Sequence, residues 1–171
     1  MPATTRNPAK PRLRTLLALL TLLGLTTPAL AESVAEGRQA LDQEKYEQAL
    51  AIFQPLAEAG DPEAQFFLGS MYFAGQGVPR DHAKEAKWMQ RAADQGFGWA
   101  QNMLGRMYST GRGVEQDDTQ AYMWFSLAAA ERTPTARDAR ERLAERMSDE
   151  QIDAARRQAS EWEAIEAPQA D

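Results

Sequence analysis

AGQGVPRD, Ala74 to Asp81, returns 36 residues later as TGRGVEQD, Thr110 to Asp117. Gly75, Gly77, Val78 and Asp81 become Gly111, Gly113, Val114 and Asp117. A loop that cradles phosphate needs a lysine and a serine or threonine at a fixed offset after its glycines, and neither follows here. The duplicated loop therefore reads as architecture. Glycine reaches positive φ without steric cost, so each pair lets the chain reverse tightly between two antiparallel helices. Val78 then folds onto the apolar seam between them. Asp81 and Asp117 accept the first free backbone N–H groups of the next helix and suit its positive end.

Outward from the loop, Ala64 to Trp99 aligns on Ala100 to Thr135 without a gap, and 13 of the 36 positions are identical. A fixed period of that length marks stacked units. Ala64, Phe67, Leu68, Met71 and Tyr72 keep helical spacing and recur as Ala100, Met103, Leu104, Met107 and Tyr108, which predicts a helix with one core-facing stripe. In the second helix Trp88, Ala92 and Ala93 share a face, as do Trp124, Ala128 and Ala129. Gly96 is a natural stop for the first of these helices.

The pattern Ala-x-x-x-Leu-Gly-x-x-Tyr-x-x-Gly-x-Gly-Val-x-x-Asp, continuing to Trp and Ala-Ala, resembles the Sel1-like repeat, a relative of the tetratricopeptide repeat. The resemblance implies an all-α fold, a right-handed α-solenoid of antiparallel helix pairs. Residues 64–99 and 100–135 are its two full copies. Residues 32–63 form a shortened, more tetratricopeptide-like copy, with Ile52, Leu56, Ala57 and Gly60 opposite Trp88, Ala92, Ala93 and Gly96 and with Pro55 set to bend its second helix. Past residue 135 the repeat decays. Arg132 stands where the stopping glycine belongs, Thr133-Pro134 reads as a new helix start, and Ser148 with Gln151 forms a capping box. Residues 136–165 read as two capping helices and 166–171 as a frayed tail. A solenoid needs such an end because its last unit has no neighbour.

The first 31 residues read as an export leader. Arg6, Lys10, Arg12 and Arg14 precede the apolar run Leu16 to Leu25, and Ala29-Leu30-Ala31 offers a cleavage site after Ala31. That run is well short of the roughly 20 residues a membrane-spanning helix needs, so no stable membrane insertion is expected after processing. The expected location is the periplasm, with secretion as second choice. Beyond Ala31 lie 15 basic against 25 acidic residues, a net charge of −10. That balance disfavours nucleic acid and anionic lipid as partners. The absence of cysteine removes disulfides, thiolate metal sites and thiol nucleophiles.

Catalytic patterns are not found. His82, the single histidine, follows a helix cap on what reads as the solvent side; Asp117-Asp118 is explained by capping; and no serine lies in a G-x-S-x-G context. The sequence calls for no cofactor and no metal, and for no enzyme, a small hydrolase being the least favoured of its readings. What it offers is a surface. On the first helix of each unit the line opposite the core stripe holds Glu63, Phe66, Ser70 and Phe73, then Trp99, Asn102, Arg106 and Ser109. Val34, Arg38 and Leu41 extend it at one end, Asp138 and Arg142 at the other. In related repeats this line faces the concave groove. Aromatic and arginine side chains there suit a protein partner, though cell-wall or exported polysaccharide would also suit them. The alternative is that Phe66 and Phe73 pack on the next unit and Trp99 covers a seam.

Overall fold

The computed structural model describes residues 28–166. The export leader therefore lies largely outside the described residues, as does the tail beyond Glu166. Among the described residues there are eight helices and no strand: α1 (Pro28–Asp42), α2 (Tyr46–Glu58), α3 (Pro62–Ala74), α4 (His82–Ala93), α5 (Gly98–Thr110), α6 (Asp118–Ala130), α7 (Ala136–Ala144) and α8 (Asp149–Glu166). From α1 to α6 each helix packs on its neighbours in sequence, which builds a solenoid of helical hairpins. Both α7 and α8 then dock on α6.

The duplicated loop takes the predicted form in both copies. Gly75, Gly77, Gly111 and Gly113 all have φ between 70° and 72°. Gly75 N–H donates to the Met71 carbonyl at 2.8 Å, closing α3, and Asp81 N–H donates back to the Tyr72 carbonyl at 3.0 Å. The Asp81 carboxylate accepts from Ala83 and Lys84 N–H, and Asp117 does the same for Thr119 and Gln120. The backbone N–H of Lys84 is the main reason the Asp81 carboxyl is held below its usual range. The loop also has a second task. A Cβ on Gly77 would lie 2.9 Å from the Tyr46 carbonyl oxygen, and one on Gly113 would overlap the His82 carbonyl oxygen. Tyr46 and His82 are 36 residues apart and open the second helix of the preceding unit. Each loop thus sits against the unit before it as well as turning its own hairpin.

The core stripes are confirmed at Ala64, Leu68, Met71, Ala100, Leu104 and Met107, all at most 1% exposed. On the second helices Phe53 and Met89 are fully buried and Phe125 is 2% exposed, each one position past the expected Ile52, Trp88 and Trp124. Trp124 is buried as well, whereas Trp88 and Ile52 are only half-buried. α2 runs through Pro55 to Glu58 with the proline on its exposed face.

At the other end of each second helix, Gly60, Gly96 and Arg132 occupy one position of the repeat, all with positive φ. The following N–H reaches five residues back, Phe97 to Ala92 at 3.1 Å and Thr133 to Ala128 at 2.9 Å. The stop therefore persists at Arg132 although the glycine is gone. This moves the next helix. Thr133 is buried rather than capping, Thr135 is the N-terminal flanking residue with φ 69°, and α7 begins at Ala136. The Ser148–Gln151 box forms as expected, Ser148 N–H to Gln151 Oε1 at 2.9 Å and Gln151 N–H to Ser148 Oγ at 3.3 Å. α3 begins at Pro62, capped by Asp61 through the Ala64 N–H at 2.7 Å, two residues ahead of the repeat boundary drawn at Ala64.

Candidate protein-binding surface

The line of residues drawn across the first helices separates into two regions. Toward the N-terminal end Val34 is only 4% exposed and belongs to the core, which removes it from the surface; the helix turns its small hydrophobic side inward there. Leu41 is half-buried against the same cluster. Arg38 and Glu63 pair across α1 and α3 at 3.6 Å, both well solvated, so the pair adds little stability. Phe66 follows the alternative reading. Its ring meets Phe97 of the next turn at 5.5 Å and Phe67 at 5.6 Å. Ser70 Oγ donates to the Phe66 carbonyl at 2.9 Å, a bond internal to the helix.

Phe73 is 39% exposed, yet its ring is occupied. Arg112 lies over it at 4.6 Å and Arg80 at 5.4 Å, one arginine from each duplicated loop. Arg112 also donates to Glu85 Oε1 at 3.0 Å, and His82 Nδ1 lies 2.8 Å from Glu85 Oε2. Glu85 is 1% exposed, so the buried carboxylate is held between its own helix and the next unit's loop. His82 is accordingly a partner in an inter-unit latch, not the solvent-side residue its position after a cap suggested. The sequence gives no sign of this, because Ala121 replaces Glu85 in the next copy and the latch does not repeat.

The second unit is different. Trp99 is 51% exposed and makes no ring contact among the described residues. One turn along α5, Asn102 is only 7% exposed, which corrects its placement on the open surface. It lies at the wall of a groove of about 400 Å³, open to solvent, together with Arg106 and Ser109 of α5, Phe125 of α6, and Ala139, Arg142 and Leu143 of α7. The structure thus brings Asn102, Arg106 and Ser109 together with Arg142 on one groove, while Asp138 does not line it. Arg146, which the sequence reading missed, closes one end. Its guanidinium takes both oxygens of Asp118, at 2.7 and 2.9 Å, and donates to the Ser109 carbonyl at 3.1 Å. Ser109 Oγ itself donates to the Arg106 carbonyl at 2.9 Å.

Two further repeated residues act inside the stack. Gln65 Nε2 donates to the Ala57 carbonyl and Gln101 Nε2 to the Ala93 carbonyl, each tying a first helix to the end of the second helix before it. Their identity in both copies was the available signal, since a glutamine on a buried stripe calls for a buried partner. Burial raises the Tyr108 hydroxyl above its usual range, with the charges of Asp117 and Asp94 adding to it. No group of three or more His, Asp or Glu side chains among the described residues could hold a metal ion. None of the described helices is long and apolar enough to cross a membrane.

The hairpin stack with its glycine loop defines a Sel1-type helical repeat. The Sel1 repeat family matches residues 62–97 and 100–131. A Sel1 repeat protein from Oxalobacter formigenes of known crystal structure is 35% identical, with a TM-score of 0.60 over 66% of this chain and 87% of that one. A protective antigen present in uropathogenic Escherichia coli strains, displaying an SLR fold, is 26% identical with a TM-score of 0.74 over 83% of this chain. This chain spans 34% of that antigen's length. No curated protein matches the sequence. The chain belongs to the Sel1-like repeat family, whose members are helical scaffolds for protein interaction.

Proposed function

We propose that this chain is a non-catalytic scaffold that binds a protein partner in the cell envelope. The observation that carries the reading is the uncovered surface of the second unit, where Trp99 stands exposed and Asn102, Arg106 and Arg142 converge on one groove. Aromatic and arginine side chains are the usual anchors of an interface. The engagement of His82 with Glu85, and of Glu85 with Arg112, supports a structural rather than catalytic use of the single histidine. A photoreactive residue in place of Trp99, irradiated in living cells and analysed by mass spectrometry, should recover one protein. Cross-links to cell-wall or exported polysaccharide instead would overturn the reading.

The envelope location rests on the basic leader and the Ala29-Leu30-Ala31 site. Periplasm is preferred over the medium. N-terminal sequencing of the protein from the periplasmic fraction should begin at Glu32, and an intact Met1 in the cytoplasmic fraction would sink the export claim.

A further inference from the structure

We infer that the groove between α5 and α7 binds a carboxylate carried by an extended acidic segment of the partner protein. The inference deepens the scaffold reading and rests on it.

Three arginines border the groove, and they are not alike. Arg146 is fixed by Asp118 and the Ser109 carbonyl. Arg106 and Arg142, both exposed, have no carboxylate partner among the described residues. Acidic side chains outnumber basic ones in this chain, 25 to 19, so two guanidiniums left unpaired on one groove mark a place kept open for an outside carboxylate. Arginine is also the side chain best shaped to take a carboxylate by two parallel bonds.

At the position where Phe66 packs its ring against Phe97 in the preceding unit, this unit has the smaller Asn102. It lies in the groove wall, 7% exposed, with its Oδ1 sealed from solvent and without a hydrogen-bond partner, so contact with the ligand falls to the arginines.

The remaining lining favours peptide over sugar. Phe125 is 2% exposed and turned into the core, and Trp99 does not line the groove, so no aromatic face is presented on which a sugar ring could stack. Ala139 and Leu143 give a short apolar floor beside the arginines, suited to a segment that alternates acidic and small apolar residues.

The test uses the mature chain, residues 32–171, to select binders from a displayed library of random linear peptides. Selected sequences should be enriched in Asp and Glu, and their binding should weaken with salt. Arg106→Ala and Arg142→Ala should each weaken it about ten-fold, the loss of a charge-assisted bond, with an unchanged melting temperature. Selected peptides without acidic residues, or acidic ones indifferent to both arginine variants, overturn the groove assignment and leave the scaffold reading standing. Failure to select any peptide overturns the assignment as well. If an oligouronate then binds and Arg106→Ala abolishes that binding, the protein-partner reading falls with it.

Discussion

Gly113 shows why a loop glycine in this chain answers two constraints rather than one. Gly111 and Gly113 share the same left-handed backbone, φ 71° and 72°. A Cβ on Gly111 would meet nothing closer than Gln116 Cβ at 3.4 Å, an ordinary contact, whereas one on Gly113 would overlap the His82 backbone. Gly111→Ala should therefore cost the backbone term alone, about 1–2 kcal/mol. Gly113→Ala should cost at least about 1 kcal/mol more, because a neighbouring main chain cannot yield without parting two units. Urea titration compares the two directly, and equal losses would show that the loop does not seat on the preceding helix. The spacing of the glycines was legible in the sequence because conformation is a local property. Their contact with the unit before was not, since nothing local to the loop names the residue it touches. Arg132 makes the converse case. It holds the helix stop at φ 55° where Gly60 and Gly96 hold it elsewhere. Arg132→Gly should raise stability by up to about 1 kcal/mol, the left-handed strain removed less the extra freedom glycine gains in the unfolded chain. A variant that melts lower than the parent would mean the arginine side chain contributes more than its backbone costs.

Between elements, the stack is set by small residues and by one recurring amide. Gly37, Gly69 and Gly105 on the first helices face Phe53, Met89 and Phe125 on the second, and a Cβ there would come within 2.6, 3.0 and 2.7 Å of those side chains. The glycine in the repeated Leu-Gly pair is thus a socket for a large residue on the facing helix. Periodicity identified the helices and their buried stripes, but it placed the second-helix core at Trp88 rather than Met89. The two are adjacent, and only the socket decides between them. The glutamines give a sharper contrast. Gln65 donates to the Ala57 carbonyl at 3.1 Å and its Oε1 accepts from Gln95 Nε2 at 2.8 Å, so both ends of the amide are used. Gln101 donates to the Ala93 carbonyl at 3.3 Å, but its Oε1 is buried without a partner. Methionine has a similar volume and no polar atoms to satisfy. Gln65→Met should then cost about 1–2 kcal/mol, while Gln101→Met should cost well under 1 kcal/mol, because it relieves an unpaired acceptor as it loses one long bond. Denaturation midpoints that fall equally in the two variants would rule out this division.

At the scale of the whole molecule, the question is what ends the stack. α6 buries Ala121, Tyr122, Met123, Trp124, Phe125, Leu127 and Ala128, an apolar surface covered by α5 on one side and by α7 and α8 on the others. That a pair of helices would cap the solenoid could be read from the decay of the repeat past residue 135 and from the Ser148–Gln151 box. Which helix each would cover could not, because an apolar stripe fixes the buried face and not its neighbour. α7 supplies Leu143 to the core and Arg142 to the groove, while α8 lays Trp162 edge-on against Trp124 at 6.3 Å. The two helices therefore divide the work, one shaping the surface and the other sealing the end. Truncation after Met147 removes α8 alone and uncovers the Trp124 side of α6. Burying one large side chain is worth about 1.5–3 kcal/mol, and several lose their cover, so the truncated chain should melt well below the parent and bind a hydrophobic dye in its native baseline. Tryptophan emission should shift to longer wavelength as Trp124 meets water. If the truncated chain keeps its melting temperature and stays dye-silent, α8 is an appendage, and α7 closes the solenoid by itself.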